Sequence, residues 1–290
     1  MTGLNGSALG PARAAQHETD LLRLQALQRM TYPQLQQLLS IEPGRAARWV
    51  RSAAARGVPA AQVRLGRMLL EGTGVARDPA QAFASFTRAA ASGDADAHNM
   101  LGRCHEQGWG TAVDLRKAAE CYAAAAVSGH AWGEYNLGNL LFEGRGVRRD
   151  RGEALYWYGR AARRGHARAM NLLARCREEG WGCSPDPAQA ALWYRRSAEA
   201  GYYRAQFNYA LLLLQGGARQ EARLWLERAA QSADPSLCER IDQVLAVGGL
   251  GRIDVRGMAQ SGSASALGAE GRGFESPCPD SRAQVSIPMR

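Results

Sequence analysis

The stretch Leu137-Gly138-Asn139-Leu140-Leu141-Phe142-Glu143-Gly144-Arg145-Gly146-Val147-Arg148-Arg149-Asp150, with Ala154, Trp157-Tyr158, Ala161-Ala162 and Gly165 after it, returns along the chain. Steps of 36 residues join Gly66, Gly102 and Gly138 to Ala174 and Ala210, and Gly72 to Gly108, Gly144, Gly180 and Gly216. The same step joins Asp78, Asp114, Asp150 and Asp186, and likewise Gly93, Gly129, Gly165 and Gly201. A strict period of this size marks a solenoid, in which each unit buries its apolar face only against its neighbours.

Each unit reads as two helices. From Ala61 to Glu71, the residues Ala61, Leu65, Met68 and Leu69 share one face at three- and four-residue spacing. Gly72 and Gly74 then end the first helix, because glycine takes a left-handed conformation cheaply. Asp78 opens the second as N-cap, with Pro79 at the first helical position and Gln81 at the capping-box position. Asp186-Pro187-Ala188-Gln189 repeats this, and Asp150 with Glu153 is a stricter version. Gly66, Gly102 and Gly138, with Ala82, Ala118 and Ala154, are expected to let neighbouring backbones approach while Phe86, Tyr122 and Tyr158 fill the larger gaps.

On these residues the chain resembles the Sel-one-like repeat family, a tetratricopeptide-type α-solenoid. Its pattern is Leu-Gly-x-x-Tyr-x-x-Gly-x-Gly-Val-x-x-Asp, then Lys-Ala-x-x-Trp-Tyr-x-x-Ala-Ala-x-x-Gly. The resemblance holds over five units and implies an all-α fold, an α/α superhelix of helix-turn-helix repeats, that binds other proteins. The chain departs from the pattern at the tyrosine of the first helix, which is Leu69, His105, Leu141, Arg177 and Leu213 here. His105 and Arg177 need their polar ends in water, so the second and fourth units are expected to pack loosely.

Outward from the array, residues 1–17 read as disordered, and 18–43 as capping helices carried by Leu21, Leu22, Leu24 and Leu27. Gly44 to Gly57 matches the second helix of a unit, so a half-repeat precedes the five whole ones. In the fifth unit Ala222 stands where 226 is expected, so the loop after Gly216 has lost four residues and its capping Asp. Asp234-Pro235 opens a last helix with Leu237, Ile241, Val244 and Leu245 on one side, and the solenoid, residues 44–247, should end there. The tail, 248–290, is Gly- and Ser-rich and reads as disordered. Within it, Gly271-Arg272-Gly273-Phe274-Glu275-Ser276-Pro277 reads either as an ordinary polar tail or as translation of a transfer RNA gene, whose T-arm sequence GGTTCGAATCC encodes Phe-Glu-Ser in one frame.

The 290 residues hold 36 basic and 27 acidic side chains, a formal charge of +9. Of these, 28 basic and 20 acidic residues fall in 44–248, so the positive charge belongs to the array. Lys117 is its one lysine; the arginines fit either a GC-rich coding sequence or an anionic partner. Six scattered cysteines, at 104, 121, 176, 183, 238 and 278, lack the regular pair per unit of secreted relatives, so reduced thiols in a cytoplasm are expected. Met1 to Asp20 has no apolar run, and no stretch reaches the roughly 18 to 20 apolar residues of a membrane span.

No convergent acid, base and nucleophile stand out, so no enzyme, cofactor or metal site is expected. Cys104 and His105 are helix neighbours pointing about 100° apart. Cys176 and Cys183 have no second pair to complete a zinc site, and His130 and His166 share a turn position with Asp94 and Tyr202. Binding is the better expectation. In related solenoids the first helices line the concave face; aligned on Leu65-Gly66, that face holds Arg67; Asn99 and Arg103; Trp132, Tyr135, Asn139 and Phe142; Arg168, Asn171 and Arg175; and Arg204 and Phe207. Aromatic side chains flanked by arginine suit an acidic, extended protein segment. Nucleic acid is the second class, weakened by the interspersed acids.

Overall fold

The computed structural model describes residues 43–251, which form twelve helices and no strand. They are α1 (Pro43–Ala55), α2 (Pro59–Glu71), α3 (Pro79–Ala90), α4 (Ala95–Gln107), α5 (Leu115–Val127) and α6 (Ala131–Glu143). There follow α7 (Arg151–Arg163), α8 (Ala167–Glu179), α9 (Pro187–Glu199), α10 (Tyr203–Gln215), α11 (Arg219–Ala230) and α12 (Pro235–Val247). The fold is an all-α solenoid: even-numbered α2 to α10 are the first (A) helices of five repeats, odd-numbered α3 to α11 the second (B). The N-terminal segment and capping helices expected within 1–42, and the tail from 252 with its transfer RNA reading, lie outside the described residues.

The loop between A and B helices is built the same way four times. The amides of Asp78, Asp114, Asp150 and Asp186 donate to the carbonyls of Leu69, His105, Leu141 and Arg177 at 2.7–2.9 Å. The carboxylates of the same residues accept from the amides of Gln81, Lys117, Glu153 and Gln189 at 2.8–3.0 Å, starting each B helix. What the loop takes from position 69 and its equivalents is a backbone carbonyl. A leucine, a histidine and an arginine therefore all serve where the family pattern has tyrosine. His105 and Arg177 lie partly exposed, while Cys104 and Cys176 beside them are buried.

The glycines act differently from the expected backbone contact. A Cβ on Gly138 would stand 2.7 Å from the Tyr158 ring, and one on Gly66 would enter the Phe86 ring, so these positions seat the aromatic side chain of the B helix. Backbone approach belongs to the second glycine of the Gly-x-Gly turn. At Gly146, φ 71°, a Cβ would strike the Leu115 carbonyl at the start of α5. Gly216 does not share the left-handed cap of Gly72, Gly108, Gly144 and Gly180. Its φ is −79° and Gly217 takes the positive φ, 80°, because the shortened loop turns straight into α11, whose N-cap Ala218 has no side-chain acceptor.

The described chain divides into two compact units, one up to Cys104 with 108–112, the other 105–107 with 113 onward. In the first, Ala46, Ala47 and Val50 of α1 pack on Met68 of α2, as a half-repeat should. In the second, Tyr135, Leu140, Tyr158, Leu172 and Leu173 centre one core, and Leu226, Ile241 and Leu245 another. Leu250 is buried in that second core and its carbonyl accepts from Arg223 at 2.7 Å, so packing continues past the end of α12.

Candidate functional site

In the first unit, Arg67 of α2 spans to the next A helix, its Nη2 meeting both carboxylate oxygens of Asp96 at 2.6 and 2.7 Å. Asn99 and Arg103 of α4 are buried, and the Arg103 guanidinium lies 5.2 Å from the Trp109 ring centre.

In the second unit, α6 supplies two accessible rings and two buried supports. Trp132, partly exposed, stands edge-on to His166 at 4.3 Å, with Tyr135 beneath it, 1% exposed and 4.7 Å from the same imidazole. Asn139 is buried one turn on, its Oδ1 accepting from the Tyr158 hydroxyl at 2.9 Å. Phe142, again partly exposed, lies 5.3 Å from Trp181. On α8 the Arg168 guanidinium reaches over Trp132 (5.8 Å) and Tyr202 (5.6 Å), and that of Arg175 lies 5.1 Å from Trp181. Between them Asn171, fully buried, accepts from Asn208 of α10 at 3.0 Å, tying the two A helices together. On α10, Arg204 pairs with Asp234, the N-cap of α12, at 2.9 Å, and Phe207 is buried. The expected groove residues therefore sort into two layers. Trp132, Phe142, Arg168, Arg175 and Arg204 reach the surface; Tyr135, Asn139, Asn171 and Phe207 hold it from behind.

Three residues belong here that the alignment of first helices left out. Arg151, at the start of α7, sits over Phe142 (5.1 Å) and Trp181 (5.6 Å). Trp181 is in a loop, where its 36-residue spacing twice over from Trp109 was the available signal. Arg240 of α12 stacks on Phe207 at 4.7 Å and lies outside the repeat, so no periodicity pointed to it.

The histidines of the inter-unit turns are helix caps. Nδ1 of His130 accepts from the Gly133 amide at 3.2 Å, and Nδ1 of His166 from the Ala169 amide at 3.1 Å. Burial, then the charges of Arg168 and His130, hold the His166 imidazole down to about 3. It is neutral at pH 7, as an accepting nitrogen must be. Burial pushes the Cys121 thiol up to about 11, and Cys183 donates to the Cys176 carbonyl at 3.5 Å. Among the described residues no group of three or more His, Cys, Asp and Glu is placed to hold a metal, and no helix is long and apolar enough to cross a membrane.

The model of the Sel1 repeat family matches at 59–94, 95–130, 133–166, 167–202 and 204–234, more than half of the chain. Among solved structures the chain is similar to a Sel1 repeat protein from Oxalobacter formigenes, with 27% identity and a TM-score of 0.67 over 77% of this chain and 92% of that one. It is also similar to a protective antigen present in uropathogenic Escherichia coli strains displaying an SLR fold: 30% identity, TM-score 0.62, over 78% of this chain and 50% of the antigen. No curated protein matches it. Sel1 repeat proteins generally act as scaffolds for protein–protein interaction and are typically non-catalytic. Five matched repeats, on helices that the loop and cap chemistry reproduces unit after unit, make the chain a member of the Sel1 repeat family.

Proposed function

We propose that this protein is an adaptor that binds an acidic, extended segment of another protein on the A-helix face of α6, α8 and α10, in bacterial signalling or complex assembly in the cytoplasm. The observation that carries this reading is the layering of that face. Two partly exposed rings, Trp132 and Phe142, stand beside Arg168, Arg151 and Arg175, whose guanidinium groups lie over aromatic rings. Aromatic anchors with arginine beside them dominate interface energetics, and a planar guanidinium already held on a ring loses little freedom when it takes a carboxylate in a two-bond fork. The buried polar layer behind, Asn139 and Asn171, fixes the spacing of the helices that present them. In the first unit Arg67 takes the carboxylate of Asp96, which supports an acidic partner at the equivalent positions.

The test is capture of partners by the full chain from lysate of its native host, with and without nuclease treatment, beside a variant carrying Trp132→Ala and Arg168→Glu. Both residues are partly exposed, so circular dichroism should show the fold unchanged. A protein captured by the wild type and lost from the variant is the expected result. Equal capture by both moves the site off this face, and capture that disappears on nuclease treatment assigns the basic array to nucleic acid.

A further inference from the structure

Large apolar side chains stand exposed in mid-helix at one repeated place. Tyr156 of α7, Leu192 of α9 and Leu224 of α11 are 56%, 39% and 56% exposed. They share a repeat position: 36 residues separate the first two, and the shortened loop of the fifth unit brings the third four residues early. The other exposed large apolar residues, among those described, are Val113 in a loop and Val127 and Val247 at helix ends. One exposed leucine is ordinary, but the same exposure on three successive B helices makes a row.

A second row lies one turn on, four residues from each: Arg160, Arg196 and Arg228. Each guanidinium stacks on a tryptophan of its own helix, Trp157 at 5.0 Å, Trp193 at 4.9 Å and Trp225 at 4.6 Å. Arg160 also reaches the buried Glu134, whereas Arg196 and Arg228 are exposed and, among the described residues, pair with no carboxylate. Glu199 and Glu227 of the same helices are taken by Arg195 and Arg223, at 2.8 and 3.0 Å. Stacking limits the freedom of the guanidinium and leaves its edge open to an incoming carboxylate.

Two parallel rows, one apolar and one cationic, select the form of the ligand. An extended strand presents one row of side chains to a surface, whereas a helix presents two adjacent rows on one face. A membrane would also meet Glu153, Glu199 and Glu221, which are exposed on these three helices and repel anionic lipid. A helix about 10 Å wide covers the rows alone. We propose that the B-helix face of α7, α9 and α11 is a second docking surface, which takes an amphipathic helix of a partner protein carrying an apolar row beside an acidic one. It does not depend on the A-helix face.

Fluorescence anisotropy with the full chain tests it. The probe is a labelled, capped helix of about 21 residues on an alanine and glutamine background, with Leu and Glu in adjacent rows that each recur every seventh residue. Beside it stand a version with Lys for Glu, a scramble of the same composition, and vesicles of phosphatidylcholine and phosphatidylglycerol. The Glu helix is expected to bind at least about tenfold more tightly than the Lys helix or the scramble, and the vesicles not to bind. Leu192→Ser with Leu224→Ser, and separately Arg196→Gln with Arg228→Gln, should each weaken it about tenfold and leave the circular dichroism unchanged. Arg116→Gln with Arg148→Gln, the same charge change off the rows, should leave affinity as it was, and so should Trp132→Ala with Arg168→Glu on the A-helix face. Equal binding of the scramble overturns the two-row reading, and unchanged affinity in the Leu192 and Leu224 variant removes the apolar row and the proposal with it. Equal loss from the Arg116 and Arg148 variant reduces the effect to overall charge, and loss from the Trp132 and Arg168 variant moves the helix to the other face. Binding of vesicles without peptide assigns the rows to lipid, and binding of neither removes the surface.

Discussion

His166 caps α8 with a nitrogen that must stay unprotonated, whereas the four aspartates that cap the B helices do so as carboxylates. Its folded pKa, about 3, lies below the ordinary 6.5, so the unfolded chain takes the proton first. The contribution of His166 is therefore present above pH 6.5 and is lost as pH falls from 6.5 towards 3. Between pH 6.5 and 4.5 the loss should be about 1 to 2 kcal/mol, less than full burial would give because the residue is only partly buried. Urea unfolding at the two pH values measures it. His166→Asn, which can cap without titrating, should flatten that part of the profile, and an unaltered slope would remove His166 as its source. The histidines' shared turn position was visible in the sequence. Their capping was not, because histidine is an uncommon cap and nothing in residue type says which ring nitrogen faces an amide.

At the scale of elements, helix ends were the most legible feature. Proline after aspartate and glycine after the last turn are local chemistry: the first sets the start of α3 and α9, the second the end of α2 and α8. Side-chain layering was less so: a four-position stripe on an A helix contains both the accessible Trp132 and the buried Tyr135, since which edge of the stripe faces the neighbouring B helix depends on packing. Pairing across elements was hidden altogether. Glu134 of α6 has no exposed surface and its Oε1 meets Nε of Arg160 and of Arg164 at 3.0 and 3.3 Å, clamping α6 to the end of α7. Truncating it leaves two arginines around an emptied site. Glu134→Ala should cost about 2 to 3 kcal/mol, below the range for a fully buried pair because both arginines keep some water. A denaturation midpoint equal to wild type would show the clamp to be idle.

For the whole molecule, the 36-residue period declared the solenoid, while the contribution of α12 to the candidate site was illegible because it has no counterpart in the repeat. In a solenoid, stability is a sum over neighbours, so loss of an end should be felt locally. A chain ending at Ser232, without α12, uncovers Leu226, Ala229 and Ala230 of α11. Hydrogen exchange should then show lost protection in α10 and α11 and retained protection in α6 and α7; uniform loss would mean that the second unit melts as one block. The same neighbour-only architecture bears on synthesis. The bond from Arg145 to Glu106 joins residues 39 apart, that from Asn208 to Asn171 residues 37 apart, and that from Arg204 to Asp234 residues 30 apart. Contacts this short in sequence close quickly, so each repeat can be completed once roughly one more has left the ribosome, and the nascent chain folds in the order in which it is made.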